Sequence, residues 1–190
     1  MKKDFFSYID KSWTLFLDRD GVINHERKME YILNWTEFKF YEGVKEALSI
    51  FADIFGTIVM ITNQRGIGKG LMTEADLLNI HEKMLAEINL TSGRIDKIYY
   101  CTSLSDDCID RKPNAGMAHQ AKKDFANINF DKSVMIGNKL SDMQFGKSVG
   151  MHTIYLATTN PEIELPHPLI DYRYNDLHSV GLNLMGLRKS

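Results

Sequence analysis

Leu15-Phe16-Leu17 is an unbroken apolar run that ends in Asp18-Arg19-Asp20-Gly21-Val22. Such a run reads as a strand, and side chains two apart in extended backbone point to the same side, so Asp18 and Asp20 can converge at its carboxyl end. Gly21 then lets the backbone turn away. Two like charges held together need a cation, a shared proton or strong hydrogen-bond donors. From these residues alone two readings stand side by side: a solvated acidic turn, or a chemical site.

The rest of the chain repeats strand and helix in alternation. Val44, Ala47, Leu48, Phe51, Ile54 and Phe55 recur at helical spacing, and Gly56 follows as a stop. Residues 57–62 (Thr-Ile-Val-Met-Ile-Thr) form a β-branched, apolar run expected of a strand covered on both faces. Thr73 is placed as an N-cap with Asp76 in the first turn, ahead of a stripe of Leu77, Ile80, Met84 and Ile88. Further strands are expected over 97–101, 133–136 and 152–156, with helices over 116–126 and 140–149. Three of the four prolines, Pro161, Pro166 and Pro168, fall in the segment after Leu156. That segment reads as an extended connection before a last strand and helix around 172–187. This alternation predicts an α/β fold, three layers with a mostly parallel Rossmann-like sheet, and ligands in such folds bind at the carboxyl ends of strands.

At 190 residues and 44% hydrophobic content, one core can be buried, so one domain over 1–190 is expected. The 23 basic and 25 acidic residues are interspersed and leave no basic stripe, which argues against nucleic acid as a partner. No run reaches the length of a membrane span, and the opening Met-Lys-Lys-Asp-Phe-Phe is too short in apolar length for a signal peptide. With Cys101 and Cys108 the only cysteines, a cytoplasmic protein with reduced thiols is expected, and a monomer.

Three further segments carry chemistry-bearing residues. In Ile61-Thr62-Asn63-Gln64-Arg65-Gly66-Ile67-Gly68-Lys69-Gly70 a strand gives way to a hydroxyl, two amides and three glycines, a loop able to present N–H groups to an anion. Asp110-Arg111-Lys112-Pro113-Asn114-Ala115-Gly116-Met117 sets two cations ahead of a helix, which alone would be an ordinary solvated turn. Met135-Ile136-Gly137-Asn138-Lys139-Leu140-Ser141-Asp142-Met143 ends a strand in an Asn and a Lys, with an Asp four residues after the Asn, otherwise an acidic helix start.

In order and spacing these four segments resemble the four motifs of the haloacid dehalogenase phosphatase superfamily. The wording LFLDRDGVIN, ITNQRGIGKG, CIDRKPNAGM and IGNKLSDMQ is similar to phosphatases of D-glycero-D-manno-heptose 1,7-bisphosphate, with histidinol-phosphate phosphatases close behind. The resemblance implies a Mg²⁺-dependent phosphomonoesterase working through an aspartyl phosphate on a small phosphorylated substrate. Asp18 would be the nucleophile. Asp20 would be the general acid and base, with a pKa raised by its crowded setting. Lys112 would neutralise charge on the phosphoryl group, while Thr62, Asn63, Gln64, Arg65, Arg111 and Lys139 would contact substrate. Asp18, Asp20 and the position of Asn138 would hold Mg²⁺, with Asp142 in reserve.

The chain departs from that pattern in two places. The motif with Asn138 ordinarily carries a metal-binding Asp, and an amide in its place lowers the expected affinity for a hard cation. That substitution raises a rival reading, a phosphosugar-binding protein with weak or no turnover. The zinc loop of the heptose phosphatases, Cys-Pro-His followed by Cys-Asp-Cys-Arg-Lys-Pro, corresponds here to Cys101, Ser103, Cys108 and Asp110. Only a partial ligand set remains, and a closed zinc site is not expected. The spacing between motifs leaves no room for a separate cap domain. His25-Glu26-Arg27-Lys28-Met29-Glu30-Tyr31 is expected to wall the site, with Arg27 and Lys28 available for a second phosphate. His81 and His119 are read as packing residues.

Overall fold

The computed structural model describes residues 5–27 and 30–189. A six-stranded sheet runs through it in the order β3-β2-β1-β4-β5-β6. The strands are β1 (Thr14–Leu17), β2 (Thr57–Asn63), β3 (Lys97–Cys101), β4 (Ser133–Gly137), β5 (His152–Leu156) and β6 (Tyr172–Tyr174). Every neighbouring pair is parallel. The connections carry the helices α1 (Val44–Ile54), α2 (Arg65–Gly68), α3 (Glu74–Asn89), α4 (Gly116–Asp124) and α5 (Leu140–Ser148), and α6 (Leu177–Lys189) closes the described chain.

Alternation along the strands builds a core on each face of the sheet. Leu15 and Leu17 of β1, with Ile58 and Met60 of β2, pack with α1, α3 and α6, whereas Phe16, Val59 and Ile61 pack with α4 and α5 on the other side. The four stripe residues of α3 are buried, and Thr73 caps that helix through a reciprocal box with Asp76. β2 and β4 each run one residue past their expected ends, while α4 and α5 fall short of theirs. α4 stops at Asp124 because Phe125 leaves helical geometry, and α5 stops at Ser148. The glycine-rich segment, expected as an open loop, winds into the single turn α2 before Gly70 leaves it at φ 69°.

The strand order reverses at β1, which has β2 on one side and β4 on the other. Open parallel sheets leave a crevice at such a reversal, outside the carboxyl ends of the strands. The register pairs Leu17 with Met60 and with Ile136, so Asp18 emerges between the ends of β2 and β4. Its own N–H still bonds Ile136 O at 3.0 Å, which ties the first residue past the strand to the sheet.

Candidate active site

A cleft of about 820 Å³ opens at this reversal and is lined by Asp18, Asp20, Thr62, Arg111, Lys112 and Lys139 among others. Residues scattered over more than a hundred positions thus face one space, Asp18, Asp20, Thr62 and Lys139 at or just past strand ends and Arg111 and Lys112 from the loop between β3 and α4. Asn138 is fully buried next to that space, at the end of β4.

Lys112 is the hub. Its Nζ lies 2.8 Å from Asp18 Oδ1, 2.7 Å from Asp142 Oδ1 and 2.7 Å from Ile61 O, so its three N–H donors meet three acceptors. Burial works against the ammonium, but Asp142 and Asp18 outweigh it and hold the lysine above its ordinary pKa. One cation facing two carboxylates leaves a buried negative excess. Burial pushes the Asp18 carboxyl up to about 6, with Lys112 opposing the shift and Asp142 adding to it.

Asp142, expected as a reserve metal ligand, accepts a hydrogen bond on each of its oxygens. Oδ1 takes Lys112, and Oδ2 accepts the Lys139 backbone N–H at 3.0 Å as part of the cap of α5. It anchors the lysine. Asn63 clasps the same residue from the other end, donating Nδ2 to Lys112 O at 3.0 Å and accepting Lys112 N–H on Oδ1 at 3.1 Å.

Asp20 departs from its expected chemistry. Burial raises its carboxyl, but the Arg19 guanidinium and donors from Asn24, Arg19 and Gln64 prevail and hold it below the usual range. Asn24 and Gln64 each donate at 3.0 Å, and Gln64 Nε2 also reaches Thr62 Oγ1 at 2.8 Å. The raised pKa inferred from crowding is therefore corrected: the crowd around Asp20 consists of donors, which stabilise the ion.

Sequence reasoning passed over the residue between the two aspartates. Arg19 is 1% exposed and pairs with Asp20 at 3.0 Å, while its other terminal nitrogen meets His81 Nε2 at 3.2 Å. A guanidinium only donates, so Nε2 is the acceptor and the ring proton sits on Nδ1. Burial, reinforced by the Arg19 charge, drives the His81 pKa down to about 3 and keeps the ring neutral. His81 stood in the sequence as one more residue on α3 with no spacing relation to the aspartates, because 62 positions separate it from Arg19.

The rim is of mixed sign. Arg111 donates to Asp106 at 3.0 Å, Arg65 approaches the same carboxylate at 3.4 Å, and Lys139 contacts Glu26. Arg27, expected to be free for a second phosphate, sits 3.5 Å from Glu37 and 3.6 Å from Glu30. Lys28 lies outside the described residues. Cys101 and Cys108 are free thiols with sulfurs 3.8 Å apart, and Asp110 Oδ1 accepts from Gln120 at 2.8 Å.

Asn138 Oδ1 is buried and has no hydrogen-bond partner among the described residues. With the Asp18 carboxylate on the adjacent strand end, it leaves an all-oxygen donor set suited to a hard divalent cation.

Comparison with known proteins agrees with this geometry. Residues 14–157 match the family described as polynucleotide kinase 3 phosphatase. The chain is 39% identical over 147 residues to the D-glycero-alpha-D-manno-heptose-1,7-bisphosphate 7-phosphatase of Campylobacter jejuni, covering 77% of this chain and 83% of that protein. It is 34% identical over 184 residues to the beta-anomer enzyme of Vibrio cholerae, covering 92% and 97%. Among solved structures, the D,D-heptose 1,7-bisphosphate phosphatase of B. bronchiseptica, complexed with magnesium and phosphate, superimposes with a TM-score of 0.81 at 27% identity over 92% of this chain and 98% of that one. The four motifs, the parallel sheet with its cleft at the reversal and these relatives place the chain in the polynucleotide kinase 3 phosphatase family of haloacid dehalogenase-type enzymes, phosphatases that hydrolyse phosphoric monoesters.

Proposed function

We propose that the chain, acting as one phosphatase domain, releases phosphate from a small phosphorylated sugar, D-glycero-D-manno-heptose 1,7-bisphosphate, by way of an aspartyl phosphate on Asp18. The observation that carries the reading is the Lys112 hub: a carboxylate nucleophile can approach an anionic ester only where positive charge is already in place, and Lys112 is held 2.8 Å from Asp18.

Mg²⁺ would be held by the Asp18 carboxylate, the Asp20 main-chain carbonyl and Asn138, and would offset the repulsion between nucleophile and phosphate. Asp18 Oδ attacks phosphorus as the ester oxygen departs, and Asp20 supplies that oxygen with a proton. Asp20 stands ionised in the free protein, so the anionic phosphate arriving beside it is what lifts its pKa toward the acid form. Once the sugar has left, Asp20 accepts the proton of the water that opens the aspartyl phosphate. Arg19 keeps the carboxylate aimed throughout, and Thr62 with the N–H groups of α2 meets the phosphoryl oxygens.

The family description mentions a polynucleotide, whereas the relatives matched over nearly their whole length are sugar bisphosphatases. The rim favours the latter. Among the described residues, Glu26, Glu30 and Asp106 alternate with its cations and leave no continuous track for a phosphate backbone.

Phosphate release in the presence of Mg²⁺ from heptose 1,7-bisphosphate, histidinol phosphate and a 3′-phosphorylated oligonucleotide tests the assignment, with the bisphosphate expected to give the highest kcat/KM. Equal release by wild type and Asp18→Asn would sink it. Sugar-phosphate binding with no release above the Asp18→Asn background would return the reading to the non-hydrolysing protein that Asn138 raises.

A further inference from the structure

We propose that Glu26 is what makes an amide workable at position 138: it fixes the Asn138 side chain with Oδ1 free, and it restores nearby the negative charge that Asn lacks relative to Asp. This inference rests on the reading that a divalent cation acts beside Asp18.

Both N–H donors of the Asn138 amide are spent, one on Glu26 Oε2 at 3.1 Å and one on Thr159 Oγ1 at 2.7 Å. The Thr159 hydroxyl in turn donates to the same Glu26 oxygen at 3.1 Å, which closes a small ring of contacts. Turning the amide over would set Oδ1 against a carboxylate oxygen and against a hydroxyl whose hydrogen is already used, so the ring admits one orientation. In that orientation Oδ1 is the atom left buried without a partner. Lys139 contacts the second oxygen of Glu26 and braces it from outside. Gly21 packs against the same amide, since a Cβ there would stand 1.9 Å from Asn138 Nδ2.

The pairing also explains why Asn suits this pocket better than Asp does. An Asp at 138 would put a carboxylate oxygen in the place of Nδ2, facing Glu26 Oε2 across the 3.1 Å that the amide N–H now bridges, so like charges would stand at hydrogen-bond distance. Asn138 and Glu26 are a matched pair, and the carboxylate has moved from the strand end to the wall segment.

The test is a double-mutant cycle read by Mg²⁺ itself, through isothermal titration and the Mg²⁺-dependent rise in melting temperature of the full chain. The four proteins are wild type, Glu26→Gln, Asn138→Asp and the double variant, each melted first in chelator. Glu26→Gln is expected to weaken Mg²⁺ binding at least fivefold. Asn138→Asp is expected to tighten binding less than threefold beside Glu26, and at least tenfold in the Glu26→Gln background. A Glu26→Gln dissociation constant within twofold of wild type, or an equal gain from Asn138→Asp in both backgrounds, would overturn the inference. Should Glu26→Gln fail to fold in chelator, Glu26→Asp, which keeps the charge and shortens the reach, takes its place with at least a twofold weakening expected and no change counting against. Wild type that neither binds Mg²⁺ nor needs it for phosphate release would overturn the cation reading and this inference with it. Wild type that binds Mg²⁺ while the cycle is additive overturns only the role of Glu26.

Discussion

Lys112 reaches Asp18 at 2.8 Å with both side chains sealed from solvent, and Asp142 takes the same ammonium at 2.7 Å. Lys112→Met therefore leaves two buried carboxylates without the cation that contacts both. Removing one partner of a buried ion pair costs about 3–5 kcal/mol, and losing a charge aimed at the reacting group costs about 10²–10³ in rate. Urea unfolding and kcat on a sugar phosphate should both register the change. A variant with near-normal turnover would show that the lysine is structural only.

His81 acts at one remove. Without its acceptor, Arg19 keeps Asp20 but loses the contact that aims it, and a buried donor is left unsatisfied at a cost of about 1–3 kcal/mol. His81→Leu is expected to lower kcat about tenfold with KM unchanged within twofold, whereas His81→Gln, which can still present an acceptor, should recover most of that loss. Equal kcat in the two variants would remove His81 from the chain of contacts that reaches Asp20.

A third expectation concerns stability far from the cleft. Asp171 accepts the Thr153 N–H at 2.9 Å and meets Lys147 Nζ at 2.6 Å, tying β5 to the start of β6. Burial raises its carboxyl, but Lys147 and Thr153 outweigh that effect and hold the pKa below 3.8. A depressed folded-state value means that the ion stabilises the fold above the unfolded pKa and that this contribution is lost as pH falls through the folded one. Asp171→Asn should thus cost about 1–2 kcal/mol at pH 7, and the gap from wild type should begin to narrow below about pH 4 and go on closing as pH falls through the folded value. Thermal melts at pH 7 and pH 3.5 with turnover unaffected would bear this out. A gap of equal size at both values would not.

Much of this molecule was legible in its sequence because the relevant signals are local. The apolar runs that became β2, β3, β4 and β5, and the buried stripe of α3, follow from spacing alone, and a parallel sheet places their ends together. Position along a strand was thus enough to bring Asp18, Thr62 and Asn138 to one region, whereas Lys112 arrives on the loop between β3 and α4. The electrostatics were not legible. Whether crowding raises or lowers the pKa of Asp20 depends on whether its neighbours are donors or acids, and the donors Asn24 and Gln64 are set by turns that the strand pattern does not specify. Arg19 and Thr159 escaped notice, and the partners of His81 and of the wall residue Glu26 went unread, for a related reason. Their partners lie far along the chain, as with Glu26 and Thr159, which are separated by 133 positions.

Lys112 is gripped at both ends, its backbone by Asn63 and its tip by Ile61 O and two aspartates. A residue fastened in this way cannot swing outward to greet an incoming ester or follow a departing one. The chemical centre therefore works as a rigid die, and new specificities in chains of this kind should arise through changes to the surrounding wall, while the lysine seat stays as it is.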